Sequence, residues 1–285
     1  MSPQSPGLEQ MRSWVTDAPD TGLARPGLTE DPHPERDMAE VEVGFIGSGD
    51  AFGSGGRFQT CIAIRTSHDF FLVDCGASSL IAMRKQQIEP REVSKILITH
   101  LHGDHFGGLP FFFLDAQLVS KRAAPLTLVG PLGLEERLEA AMEILFAGSS
   151  KVEPNFEVRF VELKARTPTR VDGIQVTAFP AAHFSGAPSY SLRVEVEQKV
   201  FVYSGDTQWT DTLIEASADA DLFVCESYVF EGNVPLHNSY RTIMENRPRL
   251  SCKKIILTHM SDDMLSRARE IELPMAEDGL WLRLS

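Results

Sequence analysis

The sequence is short of basic residues and of long apolar runs, and each shortage excludes a class of protein. Its 27 Lys and Arg residues stand against 40 Asp and Glu, which gives a formal net charge of -13. Proteins that bind nucleic acid generally display a basic face, although an acidic total can conceal a local basic patch. No apolar run approaches the ~20 residues of a membrane-spanning helix, and the amino terminus lacks the basic and apolar stretches of a secretory signal. We therefore expect a soluble, cytoplasmic protein with no membrane partner.

Cysteine is also scarce, which excludes a disulfide framework. Only four cysteines occur in 285 residues, and each stands alone in an apolar or strand-like stretch. We interpret them as reduced core residues and not as ligands of a Cys zinc site. They are Cys61, Cys75, Cys225 and Cys252.

Length and composition predict one folded domain behind a flexible extension. With 285 residues and 42% hydrophobic content, the chain can bury one large core. Residues 1–38 differ from the rest, because they are rich in Pro, Gly, Asp, Glu and Ser and contain only scattered apolar residues. We predict a flexible N-terminal extension over 1–38 and a single domain over 39–285.

Four metal-ligand side chains lie within six residues, directly after an apolar run. The stretch 93–99 is continuous and mostly β-branched at its centre, which predicts a short buried strand, and a glycine pair at 107–108 breaks any regular element afterwards. Three imidazoles with one carboxylate favour a first-row metal over magnesium or calcium. Such a cluster is typical of a two-metal hydrolase. Its members are His100, His102, Asp104 and His105.

Three further ligand side chains also follow predicted strands. His183 comes after an alternating stretch, Asp206 after a strand and a Gly205 turn, and His259 after a stretch that nearly repeats the one before His100. Each of the three, taken alone, is as readily an ordinary loop residue. Together with the cluster they complete a set of seven metal ligands.

The order of these seven residues resembles the signature of the metallo-β-lactamase superfamily, from about residue 41 onward. Within it the chain is most similar to the ribonuclease Z-like branch. The resemblance implies an α/β fold, an αββα sandwich of two packed mixed sheets with helices outside and the metal site at the sheet ends; residues 39–285 would then be the hydrolase domain. The additional motifs are Gly44-Phe-Ile-Gly-Ser-Gly-Asp, Ser204-Gly-Asp-Thr, Cys225-Glu-Ser-Tyr and His237-Asn-Ser.

The resemblance also implies a role for each site residue. His100, His102 and His183 would bind one metal ion, Asp104, His105 and His259 the other, and Asp206 would bridge them. The ions would be divalent, zinc first with iron or manganese as alternatives, and would share a bridging hydroxide as the nucleophile. His237 would act as general acid, oriented by Glu226, and Asp104 could be both ligand and proton acceptor.

The substrate is the least determined part of the prediction. Ribonuclease Z enzymes that mature transfer RNA usually carry a protruding arm between the residues matching His183 and Asp206, whereas here only 22 residues separate them, a turn and a strand pair. We predict a phosphodiesterase without that arm, acting on RNA ends or on a small or cyclic phosphodiester. A carbon-ester, lactone or β-lactam hydrolase is the alternative, and a non-catalytic binding protein the third reading. The compact basic groups, interpreted as ordinary surface, are Lys121-Arg122, Arg247-Pro-Arg249 and Lys253-Lys254.

The coarse pattern predicts two strand-rich halves, the second ending in a helix. The triplet 111–113 is too apolar for a solvated helix, so it is core, a pocket wall or the surface of a homodimer, with core as the default. The glycine-rich segment 44–56 is followed by a strand, which excludes a dinucleotide fingerprint. It is either a phosphate-binding loop or a set of tight turns. Helices are predicted over 78–87, 108–122 and 132–146, and strands over 41–46, 60–66, 70–73, 93–99, 190–196 and 199–203.

Overall fold

Two β-sheets form the centre of the molecule in the computed structural model, which describes residues 40–284. The first sheet has the strand order β13-β1-β2-β3-β4-β5-β6 and the second β12-β11-β10-β9-β8-β7. The strands are β1 (Val41–Gly47), β2 (Cys61–Arg65), β3 (Phe70–Val73), β4 (Lys95–Leu97), β5 (Leu126–Gly130), β6 (Val158–Glu162), β7 (Thr169–Val171), β8 (Ile174–Pro180), β9 (Tyr190–Val196), β10 (Lys199–Tyr203), β11 (Leu222–Glu226), β12 (Ile255–Thr258) and β13 (Trp281–Leu284).

Helices cover the outer face of each sheet. The α-helices are α1 (Ser79–Lys85), α2 (Gly103–Phe106), α3 (Leu109–Leu114), α4 (Leu134–Leu145), α5 (Thr212–Ala216), α6 (Tyr240–Asn246) and α7 (Asp262–Ser266). A π-helix follows α3 over Asp115–Val119, and 3-10 turns lie at Ser54–Gly56, Pro90–Glu92, Ser149–Lys151, Arg247–Arg249 and Ala268–Glu270.

Side chains alternate between an inter-sheet core and two outer cores. On β3, Phe71 and Val73 pack between the sheets, while Leu72 packs with the helices outside, as the two-residue period of a strand requires. The second sheet behaves in the same way, since Phe201 and Tyr203 of β10 face the inter-sheet core and Val202 faces the outer helices. The predicted αββα sandwich is therefore confirmed.

Parallel strands at the centre of both sheets position the site. Strands β3 to β6 pair in parallel in the first sheet, and β10 to β12 do so in the second. The carboxyl ends of parallel strands lie at one edge of a sheet, so loops that follow them share that edge. Six of the seven predicted metal ligands follow these strands, and the loop after β8 brings the seventh, His183, to the same edge.

Several element predictions need correction. The chain does not end in a helix, because β13 returns to the first sheet and pairs antiparallel with β1. The region predicted as one helix over 108–122 instead contains two elements, α3 and the π-helix that follows it. The parallel strands β5 and β6 were not predicted. Phe112 and Phe113 are buried as expected, whereas Phe111 is 38% exposed. The prediction for residues 1–38 lies outside the described residues.

The remaining composition-based expectations concern membranes and cysteines. Among residues 40–284, every helix is too short or too polar to cross a bilayer. The four cysteines are free thiols, and Cys61, Cys75 and Cys225 are buried among apolar side chains.

Candidate metal centre

Three of the predicted ligands form one group at the sheet edge. His100 and His102 come from the loop after β4, and His183 comes from the loop after β8. One ring nitrogen of each lies within 4.8 Å of the others, and His183 Nε2 is 3.0 Å from His102 Nδ1. Three protonated imidazoles at these distances would repel one another strongly. Three neutral imidazoles match the donor set of a transition-metal site.

The other four predicted ligands form a second group beside the first. Asp104, His105, Asp206 and His259 are all buried, with one donor atom each inside a 4.8 Å limit. His259 Nε2 lies 3.1 Å from Asp104 Oδ2 and 3.3 Å from His105 Nε2. The structure thus brings all seven residues together.

Asp206 lies between the two groups. Its Oδ2 is 3.8 Å from His100 Nε2 and 3.9 Å from His183 Nε2, while its Oδ1 is 3.2 Å from His105 Nε2 and 3.5 Å from His259 Nε2. One carboxylate oxygen therefore faces each group, which is the arrangement a bridging ligand needs. Glycine is required just before it, because Gly205 has a φ of 58° and an added Cβ would lie 2.7 Å from the Tyr190 carbonyl oxygen.

Asp74 supports the centre, although the sequence analysis did not single it out. It follows β3, and its carboxylate accepts hydrogen bonds from the backbone N–H and hydroxyl of Thr99 and from His105 Nδ1 at 2.6 Å. A carboxylate behind a ligating imidazole fixes the ring and leaves Nε2 to face the metal. The signal was available, since Asp74 is an aspartate at a strand end like Asp206.

One backbone and one side-chain contact orient two more imidazoles. His183 Nδ1 donates to the Leu236 carbonyl oxygen at 3.0 Å, and His100 Nδ1 lies 3.0 Å from the Thr99 hydroxyl. Three non-glycine residues here have positive φ angles, namely Asp74 (61°), Leu236 (71°) and His259 (56°). Such conformations are uncommon outside glycine and cluster at functional sites, so this edge is a candidate for function on backbone grounds as well.

The buried polar atoms fit a metal ion better than a packed core. His100 Nε2 is buried and makes no hydrogen bond within residues 40–284, although it points at Asp206. Buried polar atoms are normally hydrogen-bonded, so an unsatisfied ring nitrogen that faces a carboxylate and further imidazoles fits a site for a cation.

The two groups differ in charge when no metal is bound. Burial and the neighbouring His105 lower the pKa of His100, and burial also lowers the pKa of His183. Burial acts in the same direction on His259, but Asp206 and the hydrogen bond with Asp104 outweigh it and raise its pKa to about 9. His100 and His183 therefore present neutral rings at neutral pH, whereas the carboxylate-rich group holds a proton on His259 that a metal must displace.

Glu226 and His237 lie against the second group, as the sequence motif predicted. His237 Nδ1 is 2.9 Å from Glu226 Oε2, and the same carboxylate accepts a hydrogen bond from the Thr207 backbone N–H. Burial lowers the pKa of His237, but the hydrogen bond and the charge of Glu226 outweigh it and raise that pKa. Glu226 thus favours the protonated form of His237, whose partly exposed ring has Nδ1 4.0 Å from Asp206 Oδ2.

The glycine-rich segment before β2 uses its backbone N–H groups in its own turns, and not to bind a ligand. Asp50 accepts hydrogen bonds from the backbone N–H groups of Phe52 and Ser54, and Gly49 donates its N–H to Phe58. These donors are consequently unavailable to a phosphate, which favours the tight-turn interpretation. The segment still positions a ligand, since the Ser48 carbonyl oxygen accepts the backbone N–H of His259.

A family model described as the anti-Pycsar protein Apyc1 matches residues 41–276, which include every site residue. The chain belongs to the Apyc1 family. This match covers both sheets except β13, and it starts where the sequence analysis placed the start of the metallo-β-lactamase resemblance.

Solved and curated relatives extend the Apyc1 match. A ribonuclease Z of Methanothermobacter thermautotrophicus is 26% identical, over 78% of this chain and 87% of that protein. The short form of human tRNase Z is 26% identical with a TM-score of 0.69, covering 86% of this chain and 99% of the other. The metallo-β-lactamase fold protein YhfI of Bacillus subtilis is 17% identical, has a TM-score of 0.65 and the same coverage, and shows the fold alone. The predicted superfamily and ribonuclease Z-like branch are confirmed, and the predicted enzyme class, a metal-dependent hydrolase, is borne out.

Replacing the shared carboxylate should empty both groups at once. We expect Asp206→Ala to lose most of both metal ions after reconstitution at neutral pH, because each group loses the oxygen that faces it. Elemental analysis of purified protein measures the stoichiometry. The matched control is Asp221→Ala, which removes a mostly buried aspartate of the same sheet whose partners are Lys253 and a backbone N–H. Loss of only one ion from Asp206→Ala would show that this carboxylate does not bridge.

Lowering the pH should release the two ions in sequence. Because the pKa of His259 is raised to about 9, metal binding to its group displaces a proton at neutral pH, and affinity there falls as pH decreases. The neutral rings of His100 and His183 impose no such cost. We expect titration at about pH 8 and about pH 6 to show a larger affinity loss for the carboxylate-rich group, with proton release detected by calorimetry in two buffers. Equal losses would contradict the charge difference.

Proposed function

We propose that the protein is a binuclear metal-dependent phosphodiesterase acting on a small phosphodiester. The observation that carries this proposal is the Glu226–His237 pair beside a two-part His/Asp centre. When the P–O bond of an alkyl phosphodiester breaks, the departing alkoxide oxygen needs a proton, and a partly exposed histidine whose protonated form is favoured by Glu226 can supply it.

The seven predicted ligands would hold two divalent ions, for which zinc is our first choice and iron or manganese the alternatives. His100, His102 and His183 would bind one, Asp104, His105 and His259 the other, with Asp206 shared. Bound ions of this kind lower the pKa of water so that it attacks as hydroxide, and they stabilise negative charge on phosphoryl oxygens. The convergence of these donors and the unsatisfied His100 Nε2 support the assignment.

The protein itself would handle the protons. His237 is held through Nδ1 by Glu226, so Nε2 is the atom left to donate a proton to the departing oxygen. Glu226 keeps the ring charged and oriented, while its own position is held by Thr207 and, through its backbone N–H, by the Ser204 hydroxyl. Asp104 is proposed as a ligand that can also accept a proton from the attacking water.

A small substrate is supported by how the basic groups are used. Arg122 is 3% exposed and donates to the backbone carbonyls of Arg91, Ala124 and Pro125. Arg249 pairs with Asp211, and Lys253 pairs with Asp221, each at 2.7 Å. These side chains are already committed, so they are poor candidates for gripping a phosphate backbone.

The segment between His183 and Asp206 supports the same conclusion. It consists of the loop 184–189 followed by β9 and β10, which pair antiparallel inside the second sheet. All of this segment after the loop is therefore part of the sandwich and does not project towards an RNA.

Assembly and compartment complete the proposal. Ile144 is 82% and Leu145 50% exposed at the end of α4, where Phe111 packs edge-on against Phe146 at 5.3 Å. We propose that this apolar surface joins two copies into a homodimer, which Ile144→Glu should dissociate in analytical ultracentrifugation while Ile81→Glu on α1 does not.

Four free cysteines support a reducing compartment such as the cytoplasm.

The proposed function is tested by comparing substrates with one metal-reconstituted preparation. We expect turnover of bis(p-nitrophenyl) phosphate to be readily detected and cleavage of precursor transfer RNA to be weak. A lactone and a β-lactam assayed in parallel test the carbon-ester alternative. Preferred hydrolysis of either, or efficient salt-sensitive cutting of precursor transfer RNA, would overturn the proposed substrate class.

Removing the proposed acid should depend on the leaving group. We expect His237→Ala to keep both ions and to lose on the order of 10²-fold in turnover of an alkyl phosphodiester, but much less on a p-nitrophenyl ester, whose nitrophenolate leaves without a proton. Since the pKa of His237 is raised, activity on the alkyl substrate should fall as pH rises through that pKa, and this alkaline limb should vanish in the variant. Metal loss, or equal losses on both substrates, would assign His237 another role.

A further inference from the structure

Tyr228 lies beside the centre and has no role in the chemistry proposed above. It follows Glu226 by two residues, just past the end of β11. Its backbone N–H donates to the Asn238 carbonyl oxygen at 3.0 Å, and its carbonyl oxygen accepts from the backbone N–H of Ser261 at 3.0 Å. The residue is thus fixed between the loop that carries His237 and the loop that follows His259.

The Tyr228 ring covers two imidazoles of the site. Its centroid is 4.8 Å from that of His237, with the planes tilted by 32°, and 6.2 Å from that of His259. His237 and His259 are themselves 5.8 Å apart and nearly parallel at 13°. The three rings form a compact cluster in which the phenol ring packs against His237, the proposed acid.

The phenol hydroxyl is a free donor beside this cluster. No group within residues 40–284 makes a hydrogen bond with it, and Tyr228 is only partly buried. Burial raises the pKa of Tyr228, and the carboxylates of Asp50, Asp206 and Glu226 raise it further. The phenol is therefore neutral at neutral pH, and its hydroxyl can donate a hydrogen bond without adding charge.

We propose that Tyr228 is a substrate-binding residue whose hydroxyl donates a hydrogen bond to a non-bridging oxygen of the phosphodiester. This inference rests on the proposed phosphodiesterase function. The hydroxyl is not the proton source for the leaving group, because Nε2 of His237 has that task and the phenol ring packs against the imidazole. An anion that enters a space bounded by Asp206 and Glu226 is repelled by both carboxylates, and a fixed neutral donor offsets part of that repulsion.

The test compares Tyr228→Phe with wild type, both loaded with metal. The substitution keeps the ring against His237 and removes only the hydroxyl. Tyr240→Phe is the matched control, since its hydroxyl accepts the Glu272 backbone N–H in the outer core of the second sheet, away from the site. Each protein is assayed for metal content, for kcat/KM on a series of phosphodiesters with leaving groups of different pKa, and for binding of inorganic phosphate by calorimetry.

A hydrogen bond to a non-bridging oxygen predicts a specific pattern of changes in metal content, kcat/KM and phosphate binding. We expect Tyr228→Phe to keep both ions, to lose about 10- to 100-fold in kcat/KM equally across the leaving-group series, and to bind phosphate several-fold more weakly. A loss that grows with leaving-group pKa would mean that Tyr228 acts only through His237, and unchanged kcat/KM and phosphate binding would mean no contact; either overturns the proposal.

The two readouts separate this inference from the function on which it rests. If wild type hydrolyses no phosphodiester, the proposed function fails, but weaker phosphate binding by Tyr228→Phe would still support the contact with a phosphoryl oxygen. If wild type is active and Tyr228→Phe matches it in both assays, the function stands and the role of Tyr228 is wrong.

Discussion

The arrangement of the site depends on one buried carboxylate placed between two sets of imidazoles. Asp206 is 2% exposed, and its oxygens lie within 3.9 Å of four imidazole nitrogens of the proposed ligands. A carboxylate buried without opposite charge is costly, so this position is tolerable only where cations or protonated rings surround it. The four rings come from three separate loops and from both sheets, which means that the centre forms only when the sandwich has closed.

The sandwich meets this demand through the ends of its central strands. Loops after β3 and β4 supply Asp74 and the His100 cluster from one sheet, and those after β8, β10, β11 and β12 supply the rest from the other. Backbone contacts across these loops then hold the geometry, as in the hydrogen bond from His259 N–H to Ser48 and that from His183 to Leu236. A loop that carries both Leu236 and His237 links the proposed acid directly to a predicted metal ligand.

Because the site is built from loops at strand ends, some of its residues could be predicted from the sequence and others could not. The seven candidate ligands could be selected because nearly all follow a short apolar run, and His and Asp at strand ends are visible in the sequence one residue at a time; the structure brings these side chains together. Asp74 carries the same strand-end signal, but it is not part of the residue order that resembles the superfamily signature, and it was therefore missed. The strand β13 was missed because its partner β1 lies at the other end of the chain, and pairing of that kind leaves no local pattern. Likewise, β5 and β6 form through parallel pairing with neighbouring strands, and alternation of apolar and polar residues in their own sequences is a weaker signal.

The carboxylates of the site provide charge balance both with and without metal. Burial raises the pKa of Asp74, although its hydrogen bond with His105 acts in the opposite direction. In the metal-free centre, the pKa values of His105 and His259 are raised because the carboxylates of Asp104 and Asp206 face these rings. Protons on these rings can thus replace metal charge, so that the carboxylates are compensated in either state. His237 is different, because its charge depends mainly on Glu226, which lies outside the proposed ligand set. An acid held by its own carboxylate can keep its proton while the neighbouring imidazoles give theirs up to metal, and this separation of roles is what a metal-assisted phosphodiesterase requires.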